Sequence, residues 1–540
     1  MGKPEEIANG VGVSPKKTKA VLMESLEQRQ LLSTYYVSAS GNDGKSGKSV
    51  NAAWRTINRV NKQTLRPGDI VLFQARKSFS GSLYVAPHEG GTASKPVIFS
   101  SYGKGRATIN SGTKAGIEIA QTAGIAITSM NFNGSGMNSN KKPGIWFHIS
   151  KKNKKLSNVH IRAVEVRNYG QEGITFDING KGGSSVSAVK IQDANLHHNL
   201  YGGLKATSMK HNVNKNWMIQ RVQAHDNPGK KSARGVTGSG IYIADVDGAT
   251  IQHSLAYNNG KNGAAPVGIW VAGSNRVTIQ YNESYNNHTR TSTDGGGIDL
   301  DWDTNNSIVQ YNYTHGNDGP GYLLCPAKKG GSNNVLRYNV SENDGRKNGV
   351  GGIQLYGNVT GAQIYNNFVY MSNKNGSSAF RAHDIGSGGK TPKNVQVRNN
   401  IFVSTGGAKV LNITAGVAKK GSIKFAGNSY HATGGFRIQW GGSGYGSLNA
   451  WRKSKGQEKL NGRATGVQGD PKLNRAGKGG TIGDTAKLRN LSAYKLKSNS
   501  PLINRGVSHP GMLSALVKLD FFGDSAIKGG KHDIGVDEAK

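Results

Sequence analysis

The chain has 540 residues, in which 69 Lys and Arg stand against 32 Asp and Glu, a formal charge of +37. The basic residues are not gathered into one tail and no run of 18 apolar residues occurs, so neither a disordered basic arm nor a membrane-spanning helix explains the composition. Gly numbers 77, twice the usual ~7%, yet Pro is only 14 and no Gly-X-Y period exists, which excludes collagen; the single cysteine, Cys325, allows no internal disulfide.

In chain order, Val11 to Val21 carries three lysines and leaves no apolar core for an ordinary secretory signal peptide. The next segment, Leu22-Met-Glu-Ser-Leu-Glu-Gln-Arg-Gln-Leu-Leu-Ser33, resembles the LEPR-XLL motif near the start of many exported planctomycete proteins, with Gln28 in place of its Pro. The resemblance implies an export or sorting segment over residues 1–33, without fixed structure, and an extracellular or cell-surface location. A short amphipathic helix is the other reading, since Leu22, Leu26 and Arg29 fit that period.

Residues 34–112 are expected to form an N-terminal cap and the first coils. Within them Ala53-Trp-Arg-Thr-Ile-Asn-Arg-Val60 places Trp54, Ile57 and Val60 at helical spacing, and predicts a short capping helix. The turn Pro67-Gly-Asp69 then leads into the strand Ile70-Val-Leu-Phe73.

Residues 113–440 carry a repeat. From Ile191 to Asn428 one cassette recurs roughly every 25–33 residues, the period of a solenoid. It opens on short strands such as Ile279-Gln-Tyr-Asn282, Val309-Gln-Tyr-Asn312, Leu336-Arg-Tyr-Asn339 and Ile364-Tyr-Asn-Asn367, each ending on Asn. A second Asn column follows at Asn199, Asn227, Asn259, Asn287 and Asn317, with Asp344 once in its place. Then comes Gly with alternating apolar residues, as in Gly240-Ile-Tyr-Ile243, Gly268-Ile-Trp-Val271, Gly297-Ile-Asp-Leu300 and Gly352-Ile-Gln-Leu355. A period of two without intervening helical stretches, and Asn at fixed places suited to amide ladders, predict an all-β right-handed, single-stranded parallel β-helix with three short strands per coil. A β-propeller would need blades of ~40 residues. After Trp440 the pattern loosens, and residues 441–540 are expected to cap the other end. The chain is expected to act as a monomer.

Thr34-Tyr-Tyr-Val-Ser-Ala-Ser-Gly-Asn-Asp-Gly44, Leu65-Arg-Pro-Gly-Asp69, Ser500-Pro-Leu-Ile-Asn-Arg-Gly506 and Asp533-Ile-Gly-Val-Asp-Glu538 resemble the entry and ending of secreted bacterial β-helix proteins of the pectin-lyase-like superfamily. That resemblance implies carbohydrate-active chemistry without naming a reaction.

Aligned at their glycines, the third strands point alternate residues outward. The resulting face bears Lys205, Tyr242, Trp270, Asp299 with Asp301, Gln354 with Tyr356, and Arg381 with His383, a mixture of aromatic, amide and charged groups suited to binding sugars. Asp299 and Asp301, i and i+2 on one face, lie about 6.5–7 Å apart at Cα, compatible with the paired carboxyls of glycoside hydrolysis. Asp318, one coil on, is a third candidate. The layout also resembles that of polygalacturonase-type glycosidases, with Thr293-Asp-Gly and Ile298-Asp-Leu-Asp for the first part and Asn317-Asp-Gly for the second; it departs in having the lone Asp318, and Gly349-Val-Gly-Gly where a His-Gly step is expected. Asp303 and Asp247 read as turn formers and Asp344 as part of its ladder, while Asp294 either caps the glycine turn or joins the acids. Trp270 and Tyr356 could serve packing alone, and a nucleophilic role for Cys325 lacks a His-Asn partner.

The leading expectation is a glycoside hydrolase acting on an acidic polysaccharide with Asp299 and Asp301, needing no cofactor. The alternatives are a polysaccharide lyase, with Lys205, Arg381 or His383 as base and Ca²⁺ held by Asp299, Asp301 and Asp303, and a non-catalytic polysaccharide or cell-surface binder. Neither the Trp-x-Asp-His of pectate lyases nor the Asp-Pro-His-Asp of alginate epimerases is present. Specific nucleic-acid binding rests on charge alone.

Overall fold

Alternation of apolar and polar residues dictates strands with one face inward, and each coil is too short to bury that face without its neighbours. The computed structural model describes residues 32–372, 376–385, 390–419, 421–508 and 518–539. The coils stack as a parallel β-helix with three sheets of 14 strands each, every third strand pairing with the next. Inward residues form continuous columns: Ile241, Ile269, Ile298, Tyr322, Ile353, Phe380, Leu411 and Ile438 lie in register along the sheet that carries the acids, all buried. Among the described residues no helix is long and apolar enough to cross a membrane.

The two asparagine columns are buried ladders. In the first, the side-chain amides of Asn282, Asn312, Asn339, Asn367 and Asn400 each donate to the Oδ1 of the next coil's Asn at 2.9–3.0 Å, and Asn428 closes the row on Glu458 at 2.8 Å. The second runs from Asn227 through Asn259, Asn287 and Asn317 and ends on Asp344, which also accepts from Thr314 and Ser341 at 2.7 Å. Tyr281, Tyr311 and Tyr338, just before ladder residues, have φ of 55°, 56° and 48°: a left-handed residue turns each corner.

The ends differ from their prediction in two respects. The N-terminal helix spans only Ile57–Asn61, because Trp54 is drawn into a parallel bridge with Val37 and stacks on Tyr35. Asp43 fixes the start by accepting from the backbone of Arg55 and Thr56, and Thr56 caps the helix through Arg59. At the far end, helix Leu448–Lys455 packs buried Trp451 against Phe425, Tyr430 and Trp440 and closes the last coil. The remainder runs back along the flank: Ile482 and Gly483 donate to Glu283, Gly479 to Glu342, and Asn366 donates to Asp533 and Gly535. The export motif at 22–33 lies, save Leu32 and Ser33, outside the described residues.

Each ladder amide satisfies buried groups on two coils. Asn339→Ala would strip partners from Asn312 and the carbonyls of Val309 and Arg337, at about 1–3 kcal/mol per group left unsatisfied. A lowered denaturant midpoint is expected, whereas Lys424→Ala on an exposed strand position should stay within about 0.5 kcal/mol of wild type.

Candidate active site

The strand Gly296–Asp301 aligns with Val267–Ala272 on one side and Tyr322–Ser332 on the other, so Trp270, Asp299, Leu323, Gln354 and Arg381 stand in single file. Asp301 lies beside Cys325 in the second outward column. Glycines make room for the turn that enters this strand. Asp294 and Gly295 have φ of 51° and 77°, and a Cβ on Gly297 would come within 2.7 Å of Thr314. The turn brings Asp294 back over the face occupied by Asp299 and Asp301.

Three carboxyls therefore share one partly covered place, and their surroundings differ. Asp299 points outward yet is only 3% exposed, and its Oδ1 has no hydrogen-bond partner among the described residues. Burial, then the neighbouring Asp301 and Asp294, push its pKa well above the ordinary carboxylate value. Asp294 is pushed up to about 7 by burial and by Asp301. Burial also pushes Asp301 up, to about 6, against the opposing influence of the Trp302 N–H (2.8 Å), the Cys325 thiol and the Lys329 charge. Asp301 is thus the member best equipped to carry a negative charge, while Asp299 and Asp294 favour the protonated form. Burial and all three carboxyls push the Cys325 thiol far up, so it stays protonated and acts as a hydrogen-bond donor to Asp301 rather than as a nucleophile.

A cleft of about 470 Å³ opens beside the acids, lined by Asp294, Leu323, Cys325, Gln354, Tyr356, Arg381 and His383. Gln354, Tyr356, Arg381 and His383, all expected on this face, converge there; the Tyr356 and His383 rings lie 5.5 Å apart. The residues toward the N-terminal end of the rod are packed instead of open. Tyr242 stacks on Trp270 at 3.7 Å and 9°, and Trp270, 7% exposed, donates to Ser239 at 3.0 Å. Lys205 is 3.6 Å from Glu172. Asp318 stands apart in the next turn: the Thr289 N–H and His288 hold it, with Arg346 3.6 Å away, and His288 hydrogen bonding keeps its carboxyl below the usual range despite burial.

Trp302, Lys329 and the His211–Asp245 pair were not singled out by the alternation. Pro326 cannot donate to the ladder, and the register shifts between Leu324 and Ala327 and again before Gly331. The displaced strand carries Lys329 to 4.1 Å from the Trp302 ring, which His211 meets edge-on while holding Asp245 at 2.5 Å. Only the position of Trp302 directly after Asp301 hinted at its part.

The Ca²⁺ set suggested for a lyase does not form. Asp303 turns into its own loop toward Asn305, and the one group of three described side chains whose ligand atoms gather within 4.8 Å is Asp520, Asp524 and Asp537, in the C-terminal segment.

A family model for the right-handed β-helix region matches residues 157–380, the coils that carry the three acids. Among curated proteins, a lacto-N-biosidase of Bifidobacterium longum is 38% identical over 73 residues, 13% of this chain and only 5% of that much longer protein. Among solved structures, a GH136 lacto-N-biosidase from Eubacterium ramulus shares 15% identity over 77% of this chain and 70% of its own, with a TM-score of 0.50, a likeness of fold. A pectate lyase, Pel9A, shares 14% identity over 95% and 98% of the two chains, with a TM-score of 0.44.

Asp299 offers a test of the cluster's electrostatics. Its folded-state pKa lies above the ~3.9 of an unfolded chain, so the folded form binds the extra proton and loses stability as pH rises past that value. Asp299→Asn removes this penalty. The variant is expected to melt at the same temperature as wild type near pH 4 and increasingly above it toward pH 8; parallel melting curves at both pH values would contradict the assignment.

Proposed function

We propose that this chain is a carbohydrate-active β-helix protein, a glycoside hydrolase that works outside the cell, with Asp294 donating a proton to the leaving oxygen and Asp301 acting as the ionised partner. One observation carries the reading: carboxyls in unequal environments meet beside a cleft lined with amide, aromatic and cationic side chains. Glycosyl cleavage needs one carboxyl that keeps its proton near neutrality and another that has lost it. Asp294 lines the cleft and is pushed up to about 7, so it can reach a substrate oxygen and still hold a proton. Asp301, with the Trp302 N–H, the Cys325 thiol and Lys329 about it, is suited to attack the anomeric carbon or draw a proton from water. Asp299 is too deeply covered for contact with a sugar, and the pressure that keeps a proton on the donor comes from burial and from the neighbouring Asp301. The short stretch similar to a lacto-N-biosidase supports glycan chemistry, and the LEPR-XLL resemblance supports export.

Product analysis on a panel of neutral and acidic polysaccharides tests the reaction: new reducing ends without an unsaturated, ultraviolet-absorbing terminus are expected. An unsaturated terminus would replace hydrolysis with lyase chemistry, and an intact polymer would leave a binding protein. Asp301→Asn should lower kcat by about 10²–10⁴-fold on every substrate. Asp294→Asn should do so on the natural glycan but far less on an aryl glycoside whose leaving group needs no proton; equal losses on both would remove Asp294 from the donor role.

The pH profile follows from the same pair. Activity is expected to fall below about 6 as Asp301 takes up a proton and above about 7 as Asp294 loses one. Asp294→Asn should flatten the alkaline limb and leave the acid limb in place.

A further inference from the structure

The cleft beside the acids ends on an arginine that no described acid neutralises. Arg381 stands three rungs beyond Asp299 in the outward column, about 14 Å along the stack at the usual strand spacing. It is half-buried, one terminal nitrogen donates to the Gly349 carbonyl at 3.1 Å, and its Nε is enclosed without a partner among the described residues. Among the described residues no carboxylate lies within 4.0 Å of its guanidinium. The sequence around it offers almost none: between Gly345 and Gln457 the only acid is Asp384, against fifteen Lys and Arg. Asp384 is occupied elsewhere, accepting from Thr414 at 2.5 Å.

The charge is reinforced rather than relieved by its neighbours. Lys409 and Arg437 follow on the next two coils, and burial, with Arg437 and Arg381 close by, pulls the Lys409 ammonium below its ordinary value. Burial likewise lowers Arg381. Beyond Arg381 the outward column continues as Asn412 and Gln439, and a second hollow of about 250 Å³ is lined by Lys409, Arg437, Gln439 and Tyr445. Enclosing a guanidinium without an anion is costly, and the planar fork of arginine is the side chain best matched to an oxyanion with two acceptors.

We infer that Arg381, backed by Lys409 and Arg437, forms an anion-recognising subsite for a negatively charged sugar several residues along the chain from the bond cleaved at Asp294 and Asp301. The inference deepens the hydrolase reading by naming its substrate class: a glycan bearing carboxylate or sulfate groups, laid along the strands with one anionic group on Arg381 and the scissile bond at the carboxyls.

Binding measured by calorimetry, without turnover, tests the subsite separately from the reaction. The probes are a tetra-uronate, a sulfated tetrasaccharide and a neutral tetrasaccharide, titrated into the full chain carrying Asp301→Asn so that none is consumed. At least one anionic probe is expected to bind, and Arg381→Gln added to that background should weaken it tenfold or more while leaving the neutral probe unchanged. Arg381→Lys should recover only part of the loss, because the bidentate geometry is gone. Loss confined to the uronate identifies carboxylate as the recognised group, and loss confined to the sulfated sugar identifies sulfate. Equal binding of both anionic probes with and without Arg381, equal weakening of charged and neutral probes, or no anionic binding at all would each overturn the proposal. Melting temperatures of the variants matching the background exclude misfolding as the cause. Arg381-dependent binding in a protein that cleaves no glycan would sink the hydrolase reading and leave the subsite standing.

Discussion

The register between successive coils is the constraint on which the rest of this molecule depends. Parallel backbone pairing fixes each strand against the next, and the buried amide ladders hold the corners at the same height from Asn282 to Asn428 and from Asn227 to Asp344. A slip of one residue would turn Asp299 and Asp301 inward and Ile298 and Leu300 outward, at the cost of the whole apolar column. Because slipping is forbidden, side chains on the outer face cannot drift apart to relieve strain or repulsion. The carboxyls beside Trp270 and Leu323 are held together by the same bonds that hold the rod together.

That rigidity decides a contest between two electrostatic influences. A surplus of 37 positive charges would, on its own, favour ionised carboxylates everywhere. Yet Asp294, Asp299 and Asp301 all move the other way, with burial as the largest cause each time. The outcome follows from range. Exposed charges more than about 8 Å away are largely screened at physiological ionic strength, whereas loss of water around a carboxyl acts at contact and is not screened. Asp318 shows the converse: a hydrogen bond from His288, a backbone N–H and the Arg346 guanidinium at contact range keep its carboxyl low even though burial opposes them.

How far the sequence was legible follows from the range of each interaction. The coil period, the asparagine columns and the outward file from Lys205 to Arg381 could be read because alternation and repetition are local properties repeated many times; the observed pairing of Trp270 with Asp299 and of Gln354 with Arg381 follows that alignment. Asp294 was ambiguous because its place depends on a turn, left-handed at Asp294 and Gly295, whose direction is set by the coils above and below. Lys329 was invisible because a single proline, Pro326, shifts the register of one long strand and carries the lysine out of pattern. Trp270 was legible as outward, with packing and sugar binding both open; what covers it, Tyr242 from the preceding coil with Ser239 taking its N–H, decides for packing. The C-terminal segment has no repeat to read, and its course along the flank rests on contacts such as Ile482 with Glu283, 199 residues away in sequence.

The face that results is asymmetric along the rod, and the asymmetry bears on how a polymer could lie there. On the N-terminal side of the acids, ring stacks on ring and Lys205 is engaged by Glu172, so the groups that might have gripped a sugar are already spent within the protein. On the C-terminal side the file runs Gln354, Arg381, Asn412, Gln439, side chains with hydrogen-bonding capacity left over and no acid among them. A glycan that gains binding energy only on one side of the reacting bond is positioned rather than merely held, since contacts remote from that bond can fix which linkage sits at the carboxyls. The charge that first set this sequence apart therefore divides into two parts. Most of it is spread over turns and outer faces, where salt screens it; a small remainder at Arg381 and Lys409, with exposed Arg437 beside them, is enclosed enough to act on one ligand group at a time.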